Sequence, residues 1–519
     1  MNRASPITFS SLLVLPVALL LGVAIGALNP LYTLLFSGAL LLVIIYMLRL
    51  DAPIAAMIVG VHIVIDAFMG YAIYQPGLLL ALGLLTVCYM GRSEDHPWTT
   101  PDLYWLWIPF ILLTLVPVLE GGDFSLSNSF GYWLPIVFSP FIMFWIGNNL
   151  AKDMSSIRVA FHCITVVAVL IAIHTIIEAT TGVFLLEAYG KADAAQATFT
   201  LDTGNARLGS FFLNPNGNGM FMAICFFLPL GLFIESKNFW VKLITVGEMT
   251  LILLALTETY STGSWLATIA SLLVFIVLVG RFRDSVVLSI AIVLVAAAGY
   301  ILLNDKIAAQ LAHANDQSDT SLHLATWQTA LRVTLAYPWF GVGLGNQAYL
   351  NLSAPYMVPA QTKPLQEPDN TYLQWGATCG IPVMLIFLGL LGSVFVTAFR
   401  KWLAVDIRYR VLFAAGIASL LALSINSLTV DGWTSPLDMP FLGWLIAGIV
   451  TSPLIDRYLA RTSSTKQVED RADTPSVGMR AARLAPARGT PHVELSPASP
   501  IAASAERSTP LHSKAESVV

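Results

Sequence analysis

Two places in this chain carry side chains suited to group transfer, each where a polar stretch meets an apolar one. The pair Asp369-Asn370 closes a polar segment running from about 304 to 370 and precedes a long apolar run. A carboxylate there can take the proton of an attacking hydroxyl, with Asn370 orienting the acceptor or the base. The same pair also suits a helix start, because Asp or Asn after a proline and before an apolar run caps a first turn. The second place is Arg207, at the head of a Gly- and Asn-rich stretch that reaches Pro215-Asn216 and then a further apolar run. A guanidinium above a helix N-terminus can grip a phosphate with two parallel hydrogen bonds, and the unpaired N–H groups of the first turn add donors. The plainer reading of Arg207 is an interfacial cation reaching for lipid headgroups.

Between these lies a helical pattern around His323, Trp327 and Arg332, ended by Pro338 and followed by Gly341, Gly343 and Gly345. Alternating glycines let a backbone approach a ligand or another helix closely. They follow no predicted strand, so a dinucleotide fold is not supported. His62 and Asp66 share a helix face four residues apart and are the strongest sign of a transporter or flippase, since buried ionisable pairs in membrane helices mark ion paths. One such pair does not explain a polar segment of this length. Glu248 and His174 read as packing residues, and Asp316 and Asp319 lack partner ligands for a metal. No metal site or cofactor is expected.

The frame that must hold these residues is apolar. Hydrophobic residues make up 56% of the 519 and charged residues 11%, where a soluble chain carries roughly 25% charge. Continuous rather than alternating apolar runs predict an all-α polytopic membrane protein instead of a barrel. Fourteen spans are expected, near 9–28, 31–49, 54–73, 77–91, 103–119, 131–149, 158–177, 216–235, 239–257, 262–280, 285–303, 371–398, 409–428 and 437–454. Spans three and four could form a re-entrant hairpin, which gives 12 to 14. With an internal N-terminus, 22 of the 27 Lys and Arg fall on the inner side, as the positive-inside rule requires. That places Arg207, Arg332 and Asp369 outside, in two long periplasmic loops at 178–215 and 304–370, the second partly helical. Residues 1–455 then form one transmembrane unit. Residues 456–519, rich in Ala, Ser, Pro and Thr, read as a disordered cytoplasmic tail. The four cysteines fall in or at the start of apolar runs and read as small core residues.

The motifs over about 200–395 resemble the O-antigen ligase and surface polysaccharide polymerase superfamily. Arg207 to Asn216 is similar to its Arg-x-x-Gly-x-x-x-x-Pro-Asn signature, with the glycine one residue early at Gly209. Thr259 to Ala267 resembles Thr-x-Ser-Arg-Gly-x-Trp-Leu-Ala, with Thr262 in place of the arginine. Trp327 to Gly345 resembles Trp-x-x-Ala-Leu…Pro-x-x-Gly-x-Gly-x-Gly, and Asn370 followed by nine residues and Gly380 resembles the closing His-Asn motif. The resemblance implies a metal-independent inverting glycosyltransferase of the bacterial inner membrane that takes a polyprenyl-pyrophosphate-linked oligosaccharide at the periplasmic face. It implies Asp369 in the place of the ligases' proposed base, with His323 the next candidate, and Arg207 toward the pyrophosphate. Asn216, His323, Trp327, Arg332, Gly343 and Gly345 line the substrate in this reading. Tyr337, Trp339, Tyr349, Tyr356, Tyr372 and Trp375 could stack on sugars or form an interfacial belt. The departures favour an exopolysaccharide or O-antigen repeat-unit polymerase. The alternatives are a ligase to lipid A-core and a protein O-oligosaccharyltransferase. The expected partners are the lipid-linked donor, a growing glycan or lipid A-core acceptor, the bilayer and a chain-length regulator, with no nucleic acid.

Overall fold

The computed structural model describes residues 60, 99–119, 126–184, 199–200, 206–279, 317–361, 365, 367–435 and 439–473. The expected spans near 9–28, 31–49, 77–91 and 285–303, that near 54–73 apart from Gly60, and the pair His62/Asp66 lie outside these residues. The described chain is almost wholly helical: α1 Tyr104–Leu119, α2 Leu126–Trp133, a π-turn Leu134–Phe138, α3 Ser139–Leu150, α4 Met154–Thr181, α5 Pro215–Glu235, α6 Phe239–Glu258 and α7 Thr262–Leu278. After these come α8 Gln317–Ala336, α9 Asn346–Ser353, α10 Thr371–Cys379, α11 Ile381–Ala404, α12 Arg410–Asn426, α13 Met439–Thr451 and α14 Pro453–Asp473. A two-stranded ribbon pairs Phe199 with Arg207. Among the described residues six helical stretches are long and apolar enough to cross a membrane, and α1, α7 and α12 are shorter apolar helices. The protein is an all-α multi-pass membrane protein.

Local chemistry sets the helix ends. Asp153 and Ser156 form a reciprocal capping box at the start of α4, and Gly182 ends it in a left-handed conformation. Asn214 caps α5 by accepting the Asn216 N–H at 2.8 Å, with Pro215 in the first turn. At 1.5 Å per residue, the 21 residues of α5 reach about 31 Å, the thickness of a hydrocarbon core. Nearly every side chain of α5 and α12 is buried, and Gly231 brings them together: a Cβ there would meet Ala415 Cβ at 2.6 Å. Helices α3 and α13 touch backbone to backbone, where a Cβ on Gly147 would lie 2.5 Å from Leu445 O. Helix α6 instead exposes Leu243, Ile244, Val246 and Leu254, the surface a lipid-facing helix presents.

Two expectations are corrected. The single span expected over 371–398 is two helices, α10 and α11, broken at Gly380. That residue has φ +88, and a Cβ on it would lie 2.3 Å from Trp339 O, so the helix cannot run through the crossing of the 337–345 turn. The tail read as disordered from 456 is helical as far as Asp473. Pro453 opens that helix, and Ser452 Oγ accepts the Leu454 N–H at 3.2 Å. The chain divides into two compact units, Met1–Thr462 and Ser463–Val519.

In the first unit the ends of the helices sort by chemistry. Glu235 accepts Arg158 Nη2 at 2.7 Å and Arg408 Nε at 3.3 Å, and Lys401 pairs with Asp456. These cations gather at the end of the bundle away from Arg207 and Asp369.

Candidate active site

Four chain segments meet at the other end. They are the 206–219 stretch, the α6–α7 turn at 259–264, the loop and first turn of α10 at 367–374, and the end of α12 with the turn after it at 426–435. Arg207 is half-buried. Its Nε donates to Thr259 O at 3.2 Å and its Nη2 to Asn216 Oδ1 at 2.7 Å. From Thr259 the turn continues to Ser261, whose Oγ is 2.9 Å from Ser264 Oγ, and Ser264 Oγ donates to Asn426 Oδ1 at 3.2 Å. Two residues past Asn426, Leu428 O accepts Asn370 Nδ2 at 2.9 Å. A chain of polar contacts therefore runs from the arginine to the residue beside Asp369. Gly219 is required inside it, because a Cβ there would sit within 3 Å of Thr259 Oγ1, Ser261 Cβ and Ser264 Oγ.

Asn370 and Asp369 have different surroundings. Asn370 is the cap of α10: its Oδ1 accepts the Leu373 N–H at 3.0 Å while its Nδ2 is held by Leu428. Asp369 is not the cap. It is half-buried and stands at φ +49, a left-handed conformation that few side chains tolerate. Among the described residues five non-glycine positions have positive φ, and four of them, Ser210, Leu213, Tyr260 and Asp369, lie on these segments. Strained backbone of this kind concentrates at sites that work. The turn after Arg207 is braced from α4, where His174 Nδ1 is 2.7 Å from Ser210 Oγ and the imidazole lies 4.0 Å from the Phe211 ring. On the other side of the imidazole, His174 Nε2 lies 3.7 Å from Glu178 Oε1.

Sequence reasoning missed Glu367, Asp431 and Tyr132. Tyr132 donates to Glu367 Oε1 at 3.2 Å. Burial pushes the Glu367 carboxyl well above the usual carboxylate range. The charge and hydrogen bond of Asp431 and the charge of Asp369 push it further, while Tyr132 pulls it down. Nothing in the sequence links residues 132, 367 and 431, which come from three elements. Burial, then the nearby Asp369 carboxylate, also raises the Tyr349 phenol.

The other expected site residues spread out. His323 and Trp327 are half-buried on α8, and Thr326 between them donates to Pro368 O at 3.3 Å. Arg332 is exposed on the α8 face that also carries Leu324, Leu331 and Leu335. Gly343 and Gly345 have φ +103 and +134, and Gly343 N–H donates to Thr378 O at 3.1 Å. Their turn is pressed on the end of α10, where a Cβ on Gly341 would lie 2.3 Å from the Thr378 carbonyl carbon. That gives the glycine run a packing role. Three of the aromatics considered as sugar platforms are otherwise engaged. Trp375 is buried edge-on to Phe110, Tyr349 is buried, and Tyr372 donates to Ser424 O at 2.7 Å. Trp339 and Tyr337 remain exposed.

Residues 248–388 match the family model Wzy_C, described as O-Antigen ligase. The chain carries an O-antigen ligase region. It is a membrane enzyme of lipid-linked glycans. The matched region begins midway through α6 and runs into α11, so Asp369 lies inside it. Arg207 precedes it and Asp431 follows it. Comparison with curated proteins finds no match.

Proposed function

We propose that the protein joins polyprenyl-pyrophosphate-linked oligosaccharide units at the periplasmic face of the bacterial inner membrane, as a repeat-unit polymerase of an exopolysaccharide or O-antigen. The observation that carries this reading is the polar run from Arg207 to Asn370, the residue beside Asp369, across four segments at one end of the bundle. Such a donor has a good leaving group. Transfer needs a cation for the pyrophosphate, a base for the acceptor hydroxyl, and fixed geometry between them. Arg207 supplies the first and Asp369 the second. The acceptor oxygen attacks the anomeric carbon as Asp369 takes its proton, and the lipid pyrophosphate departs toward Arg207. Inversion follows from this single displacement.

Ligation to lipid A-core is the second reading, favoured by the family description itself. The two separate in vitro. Purified protein given lipid-linked repeat unit alone makes longer chains if it is a polymerase. No elongation until a core-lipid acceptor is added would leave the ligase. No transfer with either acceptor would remove both.

A further inference from the structure

Asp369 holds a left-handed conformation between two tethers to one segment. On its C-terminal side Asn370 Nδ2 donates to Leu428 O at 2.9 Å and the Thr371 N–H to Ser427 O at 3.0 Å. On its N-terminal side Glu367 hydrogen-bonds Asp431, three residues past Leu428. Tyr132 reaches Glu367 from α2 at 3.2 Å, and Thr326 of α8 holds the intervening Pro368 carbonyl at 3.3 Å. The downstream tether is made of amides and carbonyls and does not titrate. The upstream one is a carboxyl against a carboxylate, which can bond only while one of them carries a proton.

We propose that Glu367 is a positioning residue for Asp369: with Asp431 and Tyr132 it closes the upstream half of a clamp that keeps Asp369 turned toward the acceptor. This rests on the reading of Asp369 as the base. Among the described residues, the titratable groups facing Glu367 are Tyr132, Asp431 and Asp369. All are neutral or negative, so loss of the shared proton leaves the carboxylates repelling one another, and the clamp opens. Transfer then falls on the alkaline side for a reason separate from the base. Its own protonation sets the acid side.

The test compares Glu367→Gln with Glu367→Ala and Tyr132→Phe. A glutamine can accept from Tyr132 and donate to Asp431, and it has no proton to lose. Chain growth in E367Q is expected within about threefold of wild type at neutral pH, with the alkaline limb displaced upward by about one unit or more. E367A is expected to fall roughly tenfold or more at equal folded protein, with Y132F between them. Infrared spectroscopy gives a readout free of substrate: the protonated-carboxyl absorption at neutral pH should lose one component in E367Q relative to wild type. An inactive E367Q, an unmoved alkaline limb, an unaffected E367A or an unchanged carboxyl band would each overturn the proposal. Absence of transfer in the wild type itself would instead strike the functional reading, and the carboxyl band alone would decide the clamp.

Discussion

Arg207 Nη2 donates to Asn216 Oδ1 at 2.7 Å while its Nε holds Thr259 O, so the guanidinium plane is fixed between the α5 N-terminus and the α6–α7 turn. A lysine cannot make both contacts, because it has no planar fork. Arg207→Ala should abolish chain growth without loss of protein in the membrane. Arg207→Lys keeps the charge but loses a charge-assisted hydrogen bond, about 1.5–3 kcal/mol or roughly ten- to hundredfold in rate. Asn216→Ala should give a smaller loss, read mainly in the donor concentration needed for half-maximal rate. Wild-type chain growth in Arg207→Ala would reduce Arg207 to an interfacial residue.

The bundle's two ends can be told apart by labelling. Gln361 is a poor probe position, because it is buried and its Oε1 accepts Thr329 Oγ1 at 2.6 Å. Ala360 is exposed at the site end and Lys237 at the other. With the site end in the periplasm, Ala360→Cys should react with an impermeant thiol reagent on intact spheroplasts. Lys237→Cys should react only after permeabilisation, against the parent's background. The opposite pattern would invert the topology and move the site to the cytoplasm.

The break at Gly380 gives a stability prediction with an internal control. Gly380→Ala must hold φ +88 with its Cβ against Trp339 O, a strain of about 1–3 kcal/mol before the clash is counted. Gly389, inside α11, has nothing within 4 Å of a Cβ, and alanine there should be neutral or stabilise by about 0.5–1 kcal/mol. Thermal unfolding in detergent separates them. Equal midpoints would show that the α10–α11 break tolerates a side chain.

What the sequence showed and what it hid differ in kind. The helical frame was legible because burial in lipid demands long apolar runs, and α4, α5 and α6 fall where those runs do. Arg207 and Asp369 were legible as chemistry because polar residues beside apolar runs are few. Which member of the pair Asp369-Asn370 caps the helix was not legible, since both types cap equally well and only the backbone angle decides. The Glu367–Asp431–Tyr132 contact was hidden because it joins residues 235 apart. Two of the aromatics offered as sugar platforms, Trp375 and Tyr372, are engaged in packing instead, and they lie on a helix whose buried face no periodicity marks over nine residues.

Asp369 is where function and folding can be separated most cleanly. The cap belongs to Asn370, so Asn370→Ala should cost about 0.5–2 kcal/mol for the lost cap. It would also lose the bond to Leu428 O, and both would show as lower thermal stability. Asp369 is not the cap, and its left-handed φ is one that Asn, Asp and His accept better than other side chains. Asp369→Asn therefore suits the backbone angle and keeps the size and the cap, and it removes the negative charge together with the capacity to take a proton. It should stop chain growth at matched folded protein, with the α10 cap intact. Asp369→Ala is the poorer test, because alanine adds about 1–2 kcal/mol of strain at this angle and would confound the two effects. Asp369→His fits the backbone and restores a base, so part of the activity should return, with its acid limb moved toward roughly pH 6.5. The deciding measurement is polymer yield from Asp369→Asn at matched protein level. Normal yield there would leave Asp369 as a strained turn residue and turn the search for the base to His323 on α8.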